Sequence, residues 1–446
     1  MPDAGPALDP FLEPLYTAEE MKAAEAGHDV ETLMERAGRA VAEEALRRYP
    51  DAASFGAVCG GGANGGDGRI ALDVLRAAGR TAEEGTRGDV LIDALFGTGF
   101  RGEPRAEAAG LIEELNGAGV PVVAVDLPSG VDADTGEIAG QAVRADVTVT
   151  MHGRKVGLEV APGRFHAGEV VVAGIGLDHG DTRHRVVSSD VLSLVPRKRP
   201  EDTKYTAGAV LVVGGAPGTT GAISLTATAA FRADAGYVTV CAPAEALPVL
   251  EGRLLEAVKR PLDEALAAVE RHGALAVGPG LGRSDEKQAL VRRLLEETDL
   301  PAVVDADALF ELRPFDRAAP TVLTPHEGEL GRLLGRESAW VAAHRLTAAT
   351  EAAERFGCVC LLKGADALIA APGEGVLVAA LGPPSLATAG SGDVLTGVIG
   401  AFLAKGMDAR AAAAAGAVAC DVAARLGPAR GLVASDVVSL LPAALG

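Results

Sequence analysis

Short apolar runs rich in valine, leucine and isoleucine alternate with alanine-rich stretches of helical period along the chain. VLIDALF, VVAVDLP, VTVTM, AVLVVGG, YVTVCAP, ALAVGPG, AVVDADA and VCLLKG read as strands buried on both faces, each run giving way to Gly, Pro or Asp. Between them LMERAGRAVAEEALRRY and AISLTATAAFRADAG read as helices. The alternation predicts an α/β protein of doubly wound parallel sheets with right-handed crossovers. Ligand sites in such folds lie at the carboxyl ends of the strands.

The pattern weakens over 178–204, DHGDTRHRVVSSDVLSLVPRKRPEDTK, which is polar and charged. A boundary near 180–186 divides the chain into domains 1–180 and 186–446, both of ordinary size. No short repeat interrupts either half, and the alanine run 411–415 reads as a closely packed helix.

Composition adds one anomaly. Glycine makes up 57 of 446 residues, close to twice the usual share of about 7%, without a collagen period. Such an excess predicts many tight turns and close approaches of backbone to ligand. The charge balance, 41 Lys+Arg against 61 Asp+Glu, gives −20 and argues against nucleic acid as a partner. Five cysteines without a C-x-x-C pair argue for a reducing compartment, and Cys358 and Cys360 read as core residues of one strand face. No charged-then-apolar leader and no apolar run of about 18 residues occurs. The expectation is a cytoplasmic protein that does not span a membrane.

The first glycine cluster, SFGAVCGGGANGGDGRIALDVL, reads as strand, loop and helix. Gly60-x-Gly62-x-x-Gly65 has the form of a dinucleotide fingerprint, with Glu83 or Glu84 near the ribose spacing. Two features oppose that reading. Asp67, expected at the helix start, would compete with a pyrophosphate, and AAGRTA before Glu83 does not read as an apolar second strand. The alternative is a crevice of oxygen donors. Asn64, Asp67, Asp93, Asp126 and Ser129 all fall at strand carboxyl ends and suit a hard cation, although Asp67 as a helix cap and Asp126 as a turn former would look the same.

In the second half, TAGSGDVLTGVIGAFLAKG places small residues before an apolar helix with Asp393 at its start. The amides of Ala389, Gly390, Ser391 and Gly392 would form an anion hole, and Asp393 is placed to take a proton from a hydroxyl attacking a phosphate. Lys363, at the end of VCLLK, is a charge partner for phosphates or a solvated strand-end lysine. His326 follows a strand beside two carboxylates and reads as a ligand contact or a structural histidine.

YTAEEM, ERAGRAVAE, NGGDG, DALFGTG, DLPSGVDADTG and RADVTVT, in this order over about residues 14–178, resemble the NAD(P)H-hydrate epimerase family. That resemblance implies a Rossmann-like three-layer sandwich, shortened here, because only about ten residues separate Gly79 from Asp89 where the family has a further strand and helix. It also implies interconversion of the R and S forms of NADH or NADPH hydrated at the 6-position. Asn64, Asp93 and Ser129 would bind K+. Gly65, Gly66, Asp67, Gly97, Thr98, Gly99, Phe100, Arg101, Gly102, Glu103 and Asp126 would contact the hydrate, with Asp126 and Lys155 the acid/base pair.

VLVVGGAPGTTGA, VGPGLG, VVDADALF, LTPHEGELGRLLG, LLKGADALIA and TAGSGDVLTGVI, over about residues 186–446, resemble the ADP/ATP-dependent NAD(P)H-hydrate dehydratases, a ribokinase-like fold. The resemblance implies Ala222, Gly280, His326 and Asp393 at the hydrate. Lys363, Gly364, Ala365, Asp366, Ala367 and Gly392 would hold ADP or ATP with Mg2+. Together the halves imply a bifunctional repair enzyme of homo-oligomeric state, with NAD(P)H hydrate as substrate. The alternatives are a dehydratase carrying a non-catalytic binding module, and a ribokinase-like small-molecule kinase.

Overall fold

The computed structural model describes residues 8–178, 180–379 and 382–446. They form two compact units. One comprises Pro14–Arg185 with Ala342–Leu346; the other comprises Val186–Val341 and Thr347–Gly446 with the first described residues up to Glu13.

The strands are β1 (Leu12–Leu15), β2 (Ser54–Cys59), β3 (Thr81–Glu84), β4 (Val90–Ala94), β5 (Val122–Val125), β6 (Val147–Met151), β7 (Glu169–Ala173), β8 (His184–Val187), β9 (Ala209–Val213), β10 (Tyr237–Ala242), β11 (Val258–Pro261), β12 (Ala274–Val277), β13 (Ala302–Val304), β14 (Thr321–Leu323), β15 (Val359–Leu362), β16 (Ala367–Ala370) and β17 (Leu377–Ala379). Every apolar run singled out in the sequence is one of these strands.

The first unit is built on a sheet of order β3-β2-β4-β5-β6-β7, parallel throughout. Helices Val30–Arg48 and Ala63–Ala77 cover one face, where Leu33, Val41, Leu72 and Leu75 pack on Phe55, Ile92 and Val123. On the other face Ile112 and Leu115 of helix Ala106–Gly117 pack on Leu91 and Val122. This is the expected three-layer sandwich.

The shortening takes a different form from the one expected. A strand does follow AAGR: β3 pairs in parallel with β2, Thr81 beside Ser54 and Glu84 beside Ala57. It was illegible because an edge strand keeps only Ala82 buried. Only the helix is missing, and Gly85–Asp89 leads straight into β4. The link crosses the face of β2 at Gly56, where a Cβ would stand 2.4 Å from the Arg87 carbonyl oxygen and 2.8 Å from that of Gly85. Asp89 pins its far end, accepting from the amides of Ala53 and Ser54 at 2.9 Å. Gly56→Val is therefore expected to force the link off the sheet, at a cost of about 1–3 kcal/mol. Scanning calorimetry should show the melting temperature lowered by several degrees; an unchanged value would mean that the link yields freely.

In the second unit β11-β10-β9-β12-β13-β14-β15 run parallel, and β16 and β17 continue the sheet antiparallel; β8 and β1 complete the order at that edge. Helices Thr220–Arg232, Ser391–Ala404, Ala409–Leu426 and Ala434–Leu445 share one core with the sheet through Ile223, Val398, Phe402 and Val437 against Val210, Ala276 and Val303. The alanine run 411–415 is buried in that core. Cys358 and Cys360 are buried too, burial pushing the Cys358 thiol up to about 12. Among the described residues no helix is long and apolar enough to cross a membrane.

Candidate active sites

In the first unit a cleft of about 770 Å³ opens at the carboxyl ends of β2, β4, β5 and β6. Asn64, Asp67, Asp126, Gly97, Thr98, Gly99, Phe100 and Arg101 line it, joined by Met21, Glu25 and Met34. Gly65, Gly66, Gly102 and Glu103 do not. Gly65 packs on the backbone of Gly60 and Gly66 faces the Met34 methyl, so their role is to bring the helix close. Asp67 is not at the helix start either: the helix begins at Ala63, and Asp67 lies in its second turn, facing the cleft.

Asp126 follows β5 with φ 66°, a conformation that costs a non-glycine residue roughly 1–3 kcal/mol. Its carboxylate is anchored in return. Oδ1 accepts from the Lys155 ammonium at 2.5 Å, the Met151 amide at 3.1 Å and the Thr150 hydroxyl at 3.2 Å. Lys155, expected as the partner of Asp126 in an acid/base pair, is 0% exposed. Its other two protons go to the Met151 carbonyl at 2.8 Å and to Thr150 Oγ1 at 3.0 Å, so every donor is used and none reaches the cleft.

Asp67 is 8% exposed and its Oδ1 has no hydrogen-bond partner among the described residues. Burial first, and then Asp126 and Glu25, push its pKa up to about 8. Glu25, at the end of helix Ala18–Glu25, is raised by burial and by Asp126. Glu25 carries no motif; its only sequence signal was its place at the end of an N-terminal helix.

Asn64, Asp93 and Ser129 are brought together around the Leu95–Phe96 turn. Ser129 donates from its amide to Asp93 Oδ2 at 2.7 Å and from its hydroxyl to Oδ1 at 2.6 Å, and accepts from the Phe96 amide at 2.8 Å. Asn64 Nδ2 donates to the Phe96 carbonyl at 2.8 Å. Asp93 is fully buried, and burial lifts its pKa to about 6 against the hydrogen bonds from Ser129. One carboxylate with amide, hydroxyl and carbonyl oxygens makes a donor set of the kind that hard cations take. Among the described residues no group of three His, Cys, Asp or Glu side chains is placed to hold a metal.

In the second unit Gly390, φ 92°, turns the chain into helix Ser391–Ala404, and Asp393 stands in its first turn. Ser391 spends both its amide and its hydroxyl on the Thr388 carbonyl, which narrows the anion hole expected of this turn. Lys363, Gly364, Ala365 and Asp366 form the turn between β15 and β16, with Ala367 opening β16. The Lys363 ammonium lies 3.2 Å from where a Cβ on Gly392 would sit, so a larger residue there would press on the ammonium.

Asp305, at the end of β13, organises this centre. It is 1% exposed, accepts from Lys363 at 2.7 Å through Oδ1 and from Thr396 at 2.7 Å through Oδ2. Sequence reading passed it over, although an Asp closing the apolar run AVV was a visible signal. Burial, followed by Asp305, pushes Asp393 up to about 7. Burial works against the Lys363 charge, but Asp305, Glu329 and Asp393 outweigh it and raise its pKa. His326 caps helix Glu327–Leu334, its Nδ1 accepting from the Gly328 amide at 3.0 Å, and its side chain is 56% exposed. Ala222 lies in the first turn of helix Thr220–Arg232, and Gly280 accepts from Thr219 Oγ1 at 2.8 Å and from the Ala216 amide at 2.6 Å.

Known proteins place both units. Residues 210–442 match the NAD(P)H-hydrate dehydratase family, and residues 30–83 and 77–157 match the YjeF-related protein N-terminus family. The two latter stretches overlap at 77–83, next to the missing helix. A bifunctional NAD(P)H-hydrate repair enzyme of Salinibacter ruber is 36% identical, with 90% of each chain covered. That of Moorella thermoacetica is 42% identical over 74% of this chain and 67% of its own, and that of Escherichia coli 35% over 88% and 84%. Among solved structures, the ADP/ATP-dependent NAD(P)H-hydrate dehydratase of Bacillus subtilis, co-crystallized with ATP/Mg2+, superposes with a TM-score of 0.54 at 29% identity, covering 57% of this chain and 94% of that one. With both families matched in order along one chain, and relatives aligned over most of its length, the chain belongs to the family of bifunctional NAD(P)H-hydrate repair enzymes.

Proposed function

We propose that the chain restores hydrated nicotinamide cofactors in two steps, with epimerisation in the unit of the N-terminal half and dehydration in that of the C-terminal half. The observation that carries the second step is Asp393 beside a helix N-terminus, with Lys363 fixed by Asp305 and closing on Gly392. Asp393 takes the proton of the 6-hydroxyl, and the oxygen attacks the terminal phosphorus of ADP or ATP. The helix amides and Lys363 stabilise the charge on the transferring oxygens, and Mg2+ carried by the nucleotide adds to this. AMP or ADP leaves. The ring nitrogen then expels phosphate, which hydroxide could not match as a leaving group, and loss of a C5 proton regenerates the dihydronicotinamide. Gly364, Ala365, Asp366 and Ala367 border the nucleotide; Ala222, Gly280 and His326 border the hydrate.

For the first step, the cleft of the first unit takes the nicotinamide end against Thr98, Gly99, Phe100 and Arg101. Asp126, oriented by Lys155, exchanges a proton with it. Asn64, Asp93 and Ser129 would hold K+, fixing the turn that carries Gly97. Five cysteines, all free, support a reducing, cytoplasmic setting.

A ribokinase-like kinase would share the Asp393 and helix geometry, so the test separates the two readings by product. The S hydrate with Mg2+ and ADP or ATP should yield reduced nicotinamide and inorganic phosphate in equal amounts. A stable phosphorylated product with no rise in nicotinamide absorbance would mean a kinase.

A further inference from the structure

Two groups in the first unit were expected to share proton transfer, Asp126 and Lys155, but only one of them faces the cleft. Lys155 is wholly buried behind Asp126, with its three protons given to Asp126, Thr150 and the Met151 carbonyl. A group so enclosed acts through Asp126 and is a positioning residue. Inverting a carbon needs a proton delivered on one side and removed on the other, so a second exchanging group has to stand in the cleft wall.

Asp67 meets the geometric requirements. It lines the cleft, is more than nine-tenths buried, and keeps Oδ1 free of hydrogen bonds among the described residues. A buried oxygen without a partner is costly in a native structure unless a ligand completes it. The surroundings favour a carboxylic acid there. Glu25 and Asp126 face it, with Lys155 committed to Asp126. Helix Val30–Arg48 turns the apolar Met34 and Ala37 toward the cleft. β2 ends in Cys59, whose thiol burial pushes up to about 11. Arg101, a cation in the lining, is bound to Asp132 and Asp134.

We propose that Asp67 is the second catalytic residue of the epimerase site, giving its proton to the C6 hydroxyl while the Asp126 carboxylate receives one from water on the opposite face of the ring. This rests on the epimerase reading above. The C6–O bond breaks with its electron pair leaving in water, and the ring nitrogen lone pair closes an N1=C6 iminium. Water adds to the other face, forming a new C6–O bond, and loses a proton to Asp126. Carbon keeps its oxidation level, so no oxidant or reductant enters. Solvent then takes the proton from Asp126 and returns one to Asp67.

The test follows consumption of the R hydrate by the full chain in excess auxiliary S-specific dehydratase. Asp67→Asn is expected to lower kcat about 100-fold or more with KM little changed, and Asp67→Glu to regain part of the loss. Because the proton has to be present, the wild-type rate should fall as pH rises through about 8. Circular dichroism and hydrate-induced thermal stabilisation report whether each variant is folded; should Asp67→Asn not fold, the wild-type pH profile decides. A folded Asp67→Asn chain within threefold of wild type, or a wild-type rate flat from about pH 7 to 9.5, overturns the assignment of Asp67. A wild-type chain with no epimerisation overturns the epimerase reading itself, and Asp67 with it.

Discussion

Asp393→Asn is expected to lower kcat for nucleotide-dependent dehydration by about 10²–10⁴-fold while ADP or ATP still raises the melting temperature. Asparagine keeps the shape and cannot accept the hydroxyl proton. The same change should stabilise the protein at alkaline pH. Asp393 is held near 7 by burial and by Asp305, well above the roughly 3.9 of an unfolded chain. Between those values the native state binds the extra proton, so stability falls as pH rises through this window, and the cost is complete above about 7. Melting temperatures of Asp393→Asn and wild type should therefore diverge at pH 8 and converge near pH 4, with the variant the more stable. Wild-type activity should rise across the same window, as the carboxylate forms. An active variant, or one less stable at pH 8, would remove Asp393 from the role of base.

Lys155→Met carries the second large expectation. It removes the ammonium bound to Asp126 and leaves that carboxylate beside Asp67 and Glu25 in a buried setting. Breaking a buried pair from one side costs about 3–5 kcal/mol, and epimerisation should be lost, because the Asp126 carboxylate loses its anchor. The double variant Lys155→Met with Asp126→Asn removes both charges, and much of the stability should return while activity does not. Chemical denaturation of the three chains measures this. A single variant within about 1 kcal/mol of wild type would mean that water solvates Asp126 well enough alone, contrary to its burial.

The parallel strands were legible because a strand covered on both faces has to be apolar throughout, and an apolar run bounded by Gly, Pro or Asp has few other uses. β3 was not, since an edge strand owes its place to pairing with β2 and exposes Thr81, Glu83 and Glu84. Gly56 looked like one more glycine in a strand until the link crossing above it gave it a purpose. The sites divide the same way. Asp126 and Asp393 sit in motifs whose local geometry, a turn after a strand and a helix start, can be read from neighbours in sequence. The settings of Lys155 and Asp305 depend on distant segments: the partners of Lys155 include Asp126, and those of Asp305 are Lys363 and Thr396. Burial turns a lysine expected to exchange protons into one that holds Asp126, and nothing in HGRKVGL announces it. Glu25 reaches the cleft from a helix far from any glycine loop, for the same reason.

We expect one chain to carry both activities and to use them in sequence. Purified protein given a mixture of R and S NADH hydrate, with Mg2+ and ADP or ATP, should return the whole mixture to NADH, followed by its absorbance, with the R portion recovered faster than it epimerises unaided. Recovery that stops at the S portion and then creeps at the spontaneous rate would contradict it.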